Sequence, residues 1–478
     1  MANELTKKYG LPTAIAMVIG IVIGSGVFFK AQNILNLTEG NMLVGIVAWL
    51  LGGFVMMVCA YCFATMATKY EKVNGLVDYA EATCGKNYAY YIGWFLITIY
   101  YPAMTSVLAW VSARYTLVIF GQMDPTTGTC MALAGFYLCL SYCMNALSPV
   151  LAGKFQVSAT VIKLVPLCLM AVVGTIYGLV VTPETASAPL LITNFASGGS
   201  GNWGALFGAS VATVFAYEGW ILATSINAEI KDAKKNLPRA LILGTAIIAI
   251  IYITYYIGIA GGATIDSLRE NGATIAFHNI FGGVFGTILN VFIAISCLGT
   301  LNGLMLGCTR GIYALAARDQ GLKPGTFKQV DPSTNMPTNS AIFSLLVTAA
   351  WLFYFFCANL GNIFVAEYDA ATANALIQLI GTPNAETGML TVNWFGFDSS
   401  EIPLVTIYAL YLPIFLRMMF EKDLSFIKRF IMPVLAILGS LFMIFATFYA
   451  HKWGVAFYLI IFTIIMVLGG VVKNKKKA

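Results

Sequence analysis

Long apolar stretches separated by short polar loops run the length of the chain, and none alternates with the period of a membrane β-strand. Apolar runs of about 18 residues or more mark transmembrane helices. Inside hydrocarbon each must be helical to satisfy its own backbone hydrogen bonds, whereas a barrel would show alternating segments of about ten residues. The pattern predicts twelve spans, at 11–36, 41–67, 88–120, 129–147, 154–181, 203–228, 238–262, 283–317, 337–357, 402–420, 429–450 and 453–472. One further stretch, NIFVAEYDAATANALIQLIG (362–381), is long enough to cross but carries Glu367, Asp369 and many small residues. It is expected to be a surface helix outside the membrane. The first apolar segment is too long and continuous for a cleavable signal peptide.

Two spans are interrupted at their centres. In span one, IGIVIGSGVFFKAQ (19–32) brings Gly20, Gly24, Ser25 and Gly26 together. Glycine costs about 1 kcal/mol relative to alanine in a helix interior, although it also lets membrane helices pack closely. In span six, ATVFAYEGWILAT (212–224) puts Glu218 and Gly219 in the middle of an apolar run. Every other acid falls in a loop or tail, so Glu218 is the one within a span. An ionisable group at that depth marks a functional site. Interruptions five spans apart fit two inverted repeats, spans 1–5 and 6–10, with substrate held at the midplane between discontinuous helices. The expected division is 1–181 (N-terminal tail and first repeat), 182–428 (second repeat, with the loop helix near 362–381) and 429–478 (spans 11 and 12 and a basic tail).

The interruptions suggest a chemistry. Where a helix breaks, its terminal N–H and C=O groups lose their partners. A half-helix N-terminus suits a carboxylate and exposed carbonyls suit an ammonium. Two facing breaks would hold both ends of an α-amino acid, and glycine lets that ligand approach bare backbone.

Charge orients the chain. One set of alternate loops and tails carries 20 of the 27 Lys and Arg residues, while only Arg269 and Lys452 lie in loops of the other set. This positive-inside asymmetry places both termini in the cytoplasm of a multi-pass protein of the plasma (inner) membrane. The net charge of +6 then reflects cytoplasmic lysines facing anionic lipid, and no nucleic-acid motif accompanies it.

The ten cysteines lie mostly in apolar runs, as Cys59 and Cys62 do in VCAYCF. They read as small buried residues rather than disulfide or metal sets. His278 and His451 are both expected in loops, so neither a metal centre nor a cofactor is expected. An ion channel would need a repeated pore loop or charged rings, and a membrane enzyme would need clustered His, Cys, Asp or Glu inside the spans. Neither pattern is present.

The motifs resemble a known family. IGIVIGSGVF is similar to the first-span signature of the amino acid–polyamine–organocation transporters. FAYEGW followed by AEIKDAKKNLPRAL resembles the sixth span and following loop of their L-amino-acid transporter branch. GKFQVSATVIKLVPL and LNGLMLGCTRGIYALAARDQG add agreement in spans five and eight, and the likeness weakens beyond about residue 340 until IPLVTIYALYLPIFL. The resemblance implies an all-α LeuT-type fold with discontinuous helices one and six. It also implies a carrier like the bacterial serine–threonine and alanine–serine–cysteine exchangers. The chain departs from the family at Thr65, where a glutamate is usual, and at Glu218, where glycine or aspartate is usual. Animal relatives pair with a glycoprotein through a cysteine after span three. Cys130 lies near that loop, but no obligatory partner subunit is expected.

On this resemblance, Ile23, Gly24, Ser25, Gly26 and Val27 receive the substrate carboxylate, the alternative being a packing face. Phe215, Ala216, Tyr217, Glu218 and Gly219 line the other side, with Phe215 as an aromatic gate or simply a core residue. Lys163 lies ~13 Å into span five at 1.5 Å per residue, near the midplane. In relatives a lysine here takes the space of a sodium ion, which implies sodium-independent transport; a structural pair with Glu218 is the competing reading. Tyr252 and Asn302 match polar gating or coupling positions; interhelical hydrogen-bond glue is the alternative for both, and for Asn302 the two readings stand level. The function expected is exchange of small neutral L-amino acids. Proton-coupled symport, or exchange of cationic amino acids or amines through Glu218, are the alternatives.

Overall fold

Apolar runs become helices wherever no glycine cluster or charge interrupts them. The computed structural model describes residues 10–70, 75–122, 124, 126–184, 186–197, 203–221, 230–332, 336–384 and 387–474. Among these, nine helices are long and apolar enough to cross a membrane: Met42–Lys69, Lys86–Ile119, Gly128–Leu147, Ser158–Val180, Lys234–Ala260, Ala273–Ala316, Thr338–Leu360, Ile427–His451 and Trp453–Lys473. Three shorter apolar helices, Leu11–Gly20, Ala205–Tyr217 and Ile402–Met418, fall where spans one, six and ten are predicted.

Two of these short helices end at the glycine-rich interruptions. Leu11–Val22 stops at Ile23, whose backbone is extended, and a second helix, Gly26–Leu37, continues the span. Ala205–Tyr217 stops at Glu218, also extended, and Gly219 follows at a φ of 108° that side chains rarely adopt. The predicted continuation of span six, 222–228, lies outside the described residues.

Three expectations need correction. The segment 362–381 is not a surface helix: strand Val365–Asp369 pairs antiparallel with Met389–Asn393, which also pairs with Thr382–Pro383. Only Ala375–Ile380 is helical. Alternation in Met389–Asn393 buries Leu390 and Val392 against Ile377, so a period of two prevails over helix-length reasoning. Neither histidine lies in a loop. His278 sits in a helical stretch that precedes a sharp kink at Gly282, φ 76°, and His451 ends the helix Met432–His451.

Ion pairs join loops assigned to the same side. At the end rich in basic residues, Lys69 pairs with Glu421 and Asp423, and Arg318 pairs with Asp78 and Glu81. At the opposite end, Gln32 and Asn36 donate to the backbone carbonyls of Arg269 and Glu270.

Spans five and seven meet backbone to backbone. A Cβ on Gly258 would collide with the Met170 carbonyl, and one on Gly174 with the Gly258 carbonyl. Small residues drive such contacts in membranes, where lipid is as apolar as leucine. Gly258→Leu should therefore cost about 1–3 kcal/mol or more through overpacking. Thermal unfolding of the purified protein in detergent should show a lowered midpoint; an unchanged midpoint would mean that the two helices do not touch there.

Candidate functional site

The interrupted helices of spans one and six face one another. A Cβ on Gly26 would run into the backbone of Ala216, so glycine alone permits this approach. Tyr252, from span seven, ties the two breaks together. Its hydroxyl lies 3.3 Å from the Val22 carbonyl and 3.0 Å from the Ala216 carbonyl. On the other flank the Lys163 ammonium donates to the Gly20 carbonyl at 2.5 Å. Carbonyls stripped of helical partners thus find donors in side chains from spans five and seven, as a membrane interior requires.

Between the breaks lies a cavity of about 260 Å³. Val22, Gly24, Ser25 and Gly26 form one wall and Phe215, Ala216, Glu218 and Gly219 another. Lys163 closes a third side, while Tyr100, Met104 and Leu108 enter from span three and Thr300, Gly303 and Leu304 from span eight. The Glu218 carboxylate accepts a hydrogen bond from the Tyr100 hydroxyl. Its second oxygen, beside the Gly219 amide, is buried without a hydrogen-bond partner of ordinary geometry. Lys163 and Glu218 therefore both line the cavity, but each makes its hydrogen bond elsewhere.

The cavity continues toward one end of the molecule. A second space of about 360 Å³ shares Tyr100 and Gly303 with it, then passes Gly307 and Gly311 to reach Gly75, Arg310 and Arg318 beside the basic loops. The opposite end is covered by aromatic rings. Phe29 packs edge-on against Phe215 at 6.0 Å and against Trp110 at 5.5 Å. The route is open toward the basic loops and covered on the far side.

Of the residues singled out from sequence, Gly24, Ser25, Gly26, Lys163, Phe215, Ala216, Glu218 and Gly219 line the central cavity. Ile23 and Val27 do not; their side chains are fully buried in the hydrophobic core. The Tyr217 hydroxyl bonds the Trp49 carbonyl at 2.9 Å, and its ring stacks on Tyr252, behind the break. Asn302 bonds Asn145 at 2.9 Å and the Ala152 carbonyl at 3.1 Å, bracing span eight against spans four and five. Tyr252 acts through the backbone of the breaks instead of contributing to the cavity wall. The sequence reading missed Tyr100, Met104 and Leu108, which recur every four residues on one face of span three. Tyr100 ends a π-helical turn, Leu96–Tyr100, just before Pro102, and that local irregularity was the available signal. Among the described residues no group of His, Cys, Asp and Glu could hold a metal ion.

Gly26→Val is the sharpest test of this geometry. It should force the breaks apart and weaken binding of any midplane ligand by roughly a hundredfold, measured as displacement of labelled amino acid from detergent-solubilised protein. Undiminished binding would place the ligand elsewhere.

The comparisons with known proteins agree with this architecture. The profile of the family described as "Amino acid permease" matches residues 9–471. The serine/threonine exchanger SteT of Bacillus subtilis is 31% identical over 346 residues, covering 72% of this chain and 76% of that protein. The human large neutral amino acids transporter small subunit 2 is 25% identical over 353 residues, 73% of this chain and 64% of that protein. The mouse Asc-type amino acid transporter 1 is 27% identical over 312 residues, 64% of this chain and 57% of that protein. These relatives are transporters and not enzymes, and the chain belongs to the amino acid permease family.

Proposed function

We propose that this protein is a sodium-independent exchanger of small neutral L-amino acids, working by alternating access in the plasma (inner) membrane. In this reading it has twelve spans with both termini cytoplasmic, and spans 1–5 and 6–10 form a LeuT-type inverted repeat. The single observation that carries it is the meeting of two broken helices at one cavity, with bare backbone on two walls. A zwitterion satisfies both kinds of broken end: the N–H groups opening Gly26–Leu37 suit its carboxylate, and the carbonyls closing Ala205–Tyr217 suit its ammonium.

Sodium independence is supported by Lys163. Its ammonium already occupies the place of a small cation against the Gly20 carbonyl. Exchange follows from the cost of the empty state, in which unsatisfied peptide groups at midplane resist reorientation until a substrate covers them. The name of the Bacillus relative, a serine/threonine exchanger, points the same way. A covalently attached partner is not part of this reading, since Cys130 is fully buried in the core.

One observation favours a second reading. Glu218 lines the cavity, and its second carboxylate oxygen, which has no hydrogen-bond partner of ordinary geometry, would accept a hydrogen bond from a cationic group on the substrate. Proteoliposomes preloaded with unlabelled amino acid decide between the two. Uptake of labelled small neutral amino acids should be stimulated by internal substrate, unchanged when sodium is replaced by choline, and should proceed without a pH gradient to drive it. Uptake that needs sodium or a proton gradient would refute the exchanger reading. In Glu218→Gln, loss of affinity confined to cationic substrates, by roughly tenfold or more, would favour the second reading.

A further inference from the structure

A second buried cluster of charges lies outside the central cavity, at the end covered by aromatic rings. The Lys30 ammonium, on the half-helix Gly26–Leu37, contacts Glu401 Oε1 at 2.5 Å and Ser400 Oγ at 3.0 Å. His451 Nε2 lies 3.0 Å from Glu401 Oε2, the other oxygen of the same carboxylate. The side chains of Lys30 and Glu401 are 1% and 4% exposed, whereas that of His451 is 19% exposed. The same ammonium sits 5.1 Å from the Phe29 ring and 5.2 Å from the Phe215 ring. Three separate elements therefore converge on one carboxylate: the outer half of broken span one, the start of span ten and the end of span eleven.

The half-helix Gly26–Leu37 is uncoupled from Leu11–Val22 by the extended backbone at Ile23, so it can tilt without carrying the inner half. Glu401 is fixed to its own helix start, where Asp398 accepts from the backbone amides of Ser400 and Glu401. Uncovering the far side means moving Phe29 away from Phe215, which takes Lys30 with it. Withdrawing a buried lysine from its carboxylate is costly while nothing else compensates that carboxylate.

We propose that Lys30, Glu401 and His451 form a proton-responsive latch holding the outer side shut. It rests on the alternating-access reading above. When His451 is neutral, Lys30 is the only full positive charge on Glu401 and the latch is tight. When His451 is protonated, Glu401 keeps a cationic partner after Lys30 leaves, and the two cations repel each other while Lys30 stays. Acid on the outer side therefore loosens the latch, and imidazole titrates in the physiological range. Burial would raise the Glu401 carboxyl, but Lys30 and His451 hold it down at about 2, so it stays charged throughout. The groups facing His451 are Glu401 and Asp398 before span ten, Lys30 on the half-helix and Lys452 beside it. Helices Met42–Lys69, Ala205–Tyr217 and Trp453–Asn474, which also pack against this helix, bring no charged side chain to this end.

The test reads exposure of the central cavity from outside. Leu108→Cys on the cavity wall is introduced into the full chain and into His451→Gln, which keeps a hydrogen-bond donor for Glu401. Both are reconstituted in sided proteoliposomes at fixed internal pH. A membrane-impermeant thiol reagent is added outside at about pH 8 and about pH 5.5, bracketing the imidazole. The ratio of the two labelling rates cancels the reagent's own pH dependence and should rise roughly threefold on acidification. A flat or falling ratio overturns the latch. Should His451→Gln fail to fold, the double variant Lys30→Met/Glu401→Met removes the cluster without leaving a charge unpaired, and the same ratio is expected. Exchange measured in parallel on the unsubstituted chain separates the two claims: a flat ratio with intact exchange sinks the latch alone, and a rising ratio without exchange sinks the carrier reading.

Discussion

A peptide group in hydrocarbon must be hydrogen-bonded, and the structure is organised around the few places where its helices decline to do this themselves. At the ends of Leu11–Val22 and Ala205–Tyr217 the helical ladder stops inside predicted spans. The exposed carbonyls are covered from outside the helices. The Tyr252 hydroxyl serves Val22 and Ala216, and the Lys163 ammonium serves Gly20. Each partner comes from a neighbouring span, so the breaks are stable only while spans five and seven are packed in place. What those side chains leave uncovered is the surface offered to a ligand.

The packing around the breaks keeps them close and accessible from one end. Backbone contact between spans five and seven, through Gly174 and Gly258, brings Lys163 and Tyr252 to opposite flanks of the first break. Gly303, Gly307 and Gly311 keep one face of span eight free of side chains along the passage toward the basic loops. On the far side Phe29, Trp110 and Phe215 cover the cavity, and the buried ammonium of Lys30, paired with Glu401, sits directly against two of those rings. The apolar cover and the ionic cluster are thus parts of one closure, mounted on the half-helix that the break sets free.

Much of this arrangement was legible in the linear pattern. The positions of the helices and both interruptions follow from runs of apolar residues and from the glycines and single acid that spoil two of them. The pairing of loops by side followed from the distribution of lysine and arginine, and the ion pairs of Lys69 and Arg318 join loops of one set. Direction was far less legible. In a broken helix the regular 3.6-residue period lapses, so nothing local revealed that Tyr217 turns toward Trp49 while Glu218 turns toward the cavity. Span three is buried on nearly every side, so no polar face contrasts with an apolar one to mark Tyr100, Met104 and Leu108. The sheet around Met389–Asn393 was obscured because its partner strand, Val365–Asp369, lies in a run whose length invited a helix.

Recognition of a zwitterion by bare backbone is the claim on which the rest stands. It is tested most directly by competition between a bound labelled amino acid and two truncated analogues, the amine lacking the carboxylate and the acid lacking the ammonium. If both broken ends engage the ligand, each analogue should compete at least roughly a hundredfold more weakly than the intact amino acid, since each leaves one set of buried peptide groups unpaired. An analogue that competes as well as the parent would contradict the account, because one of the two breaks would then contribute nothing to binding.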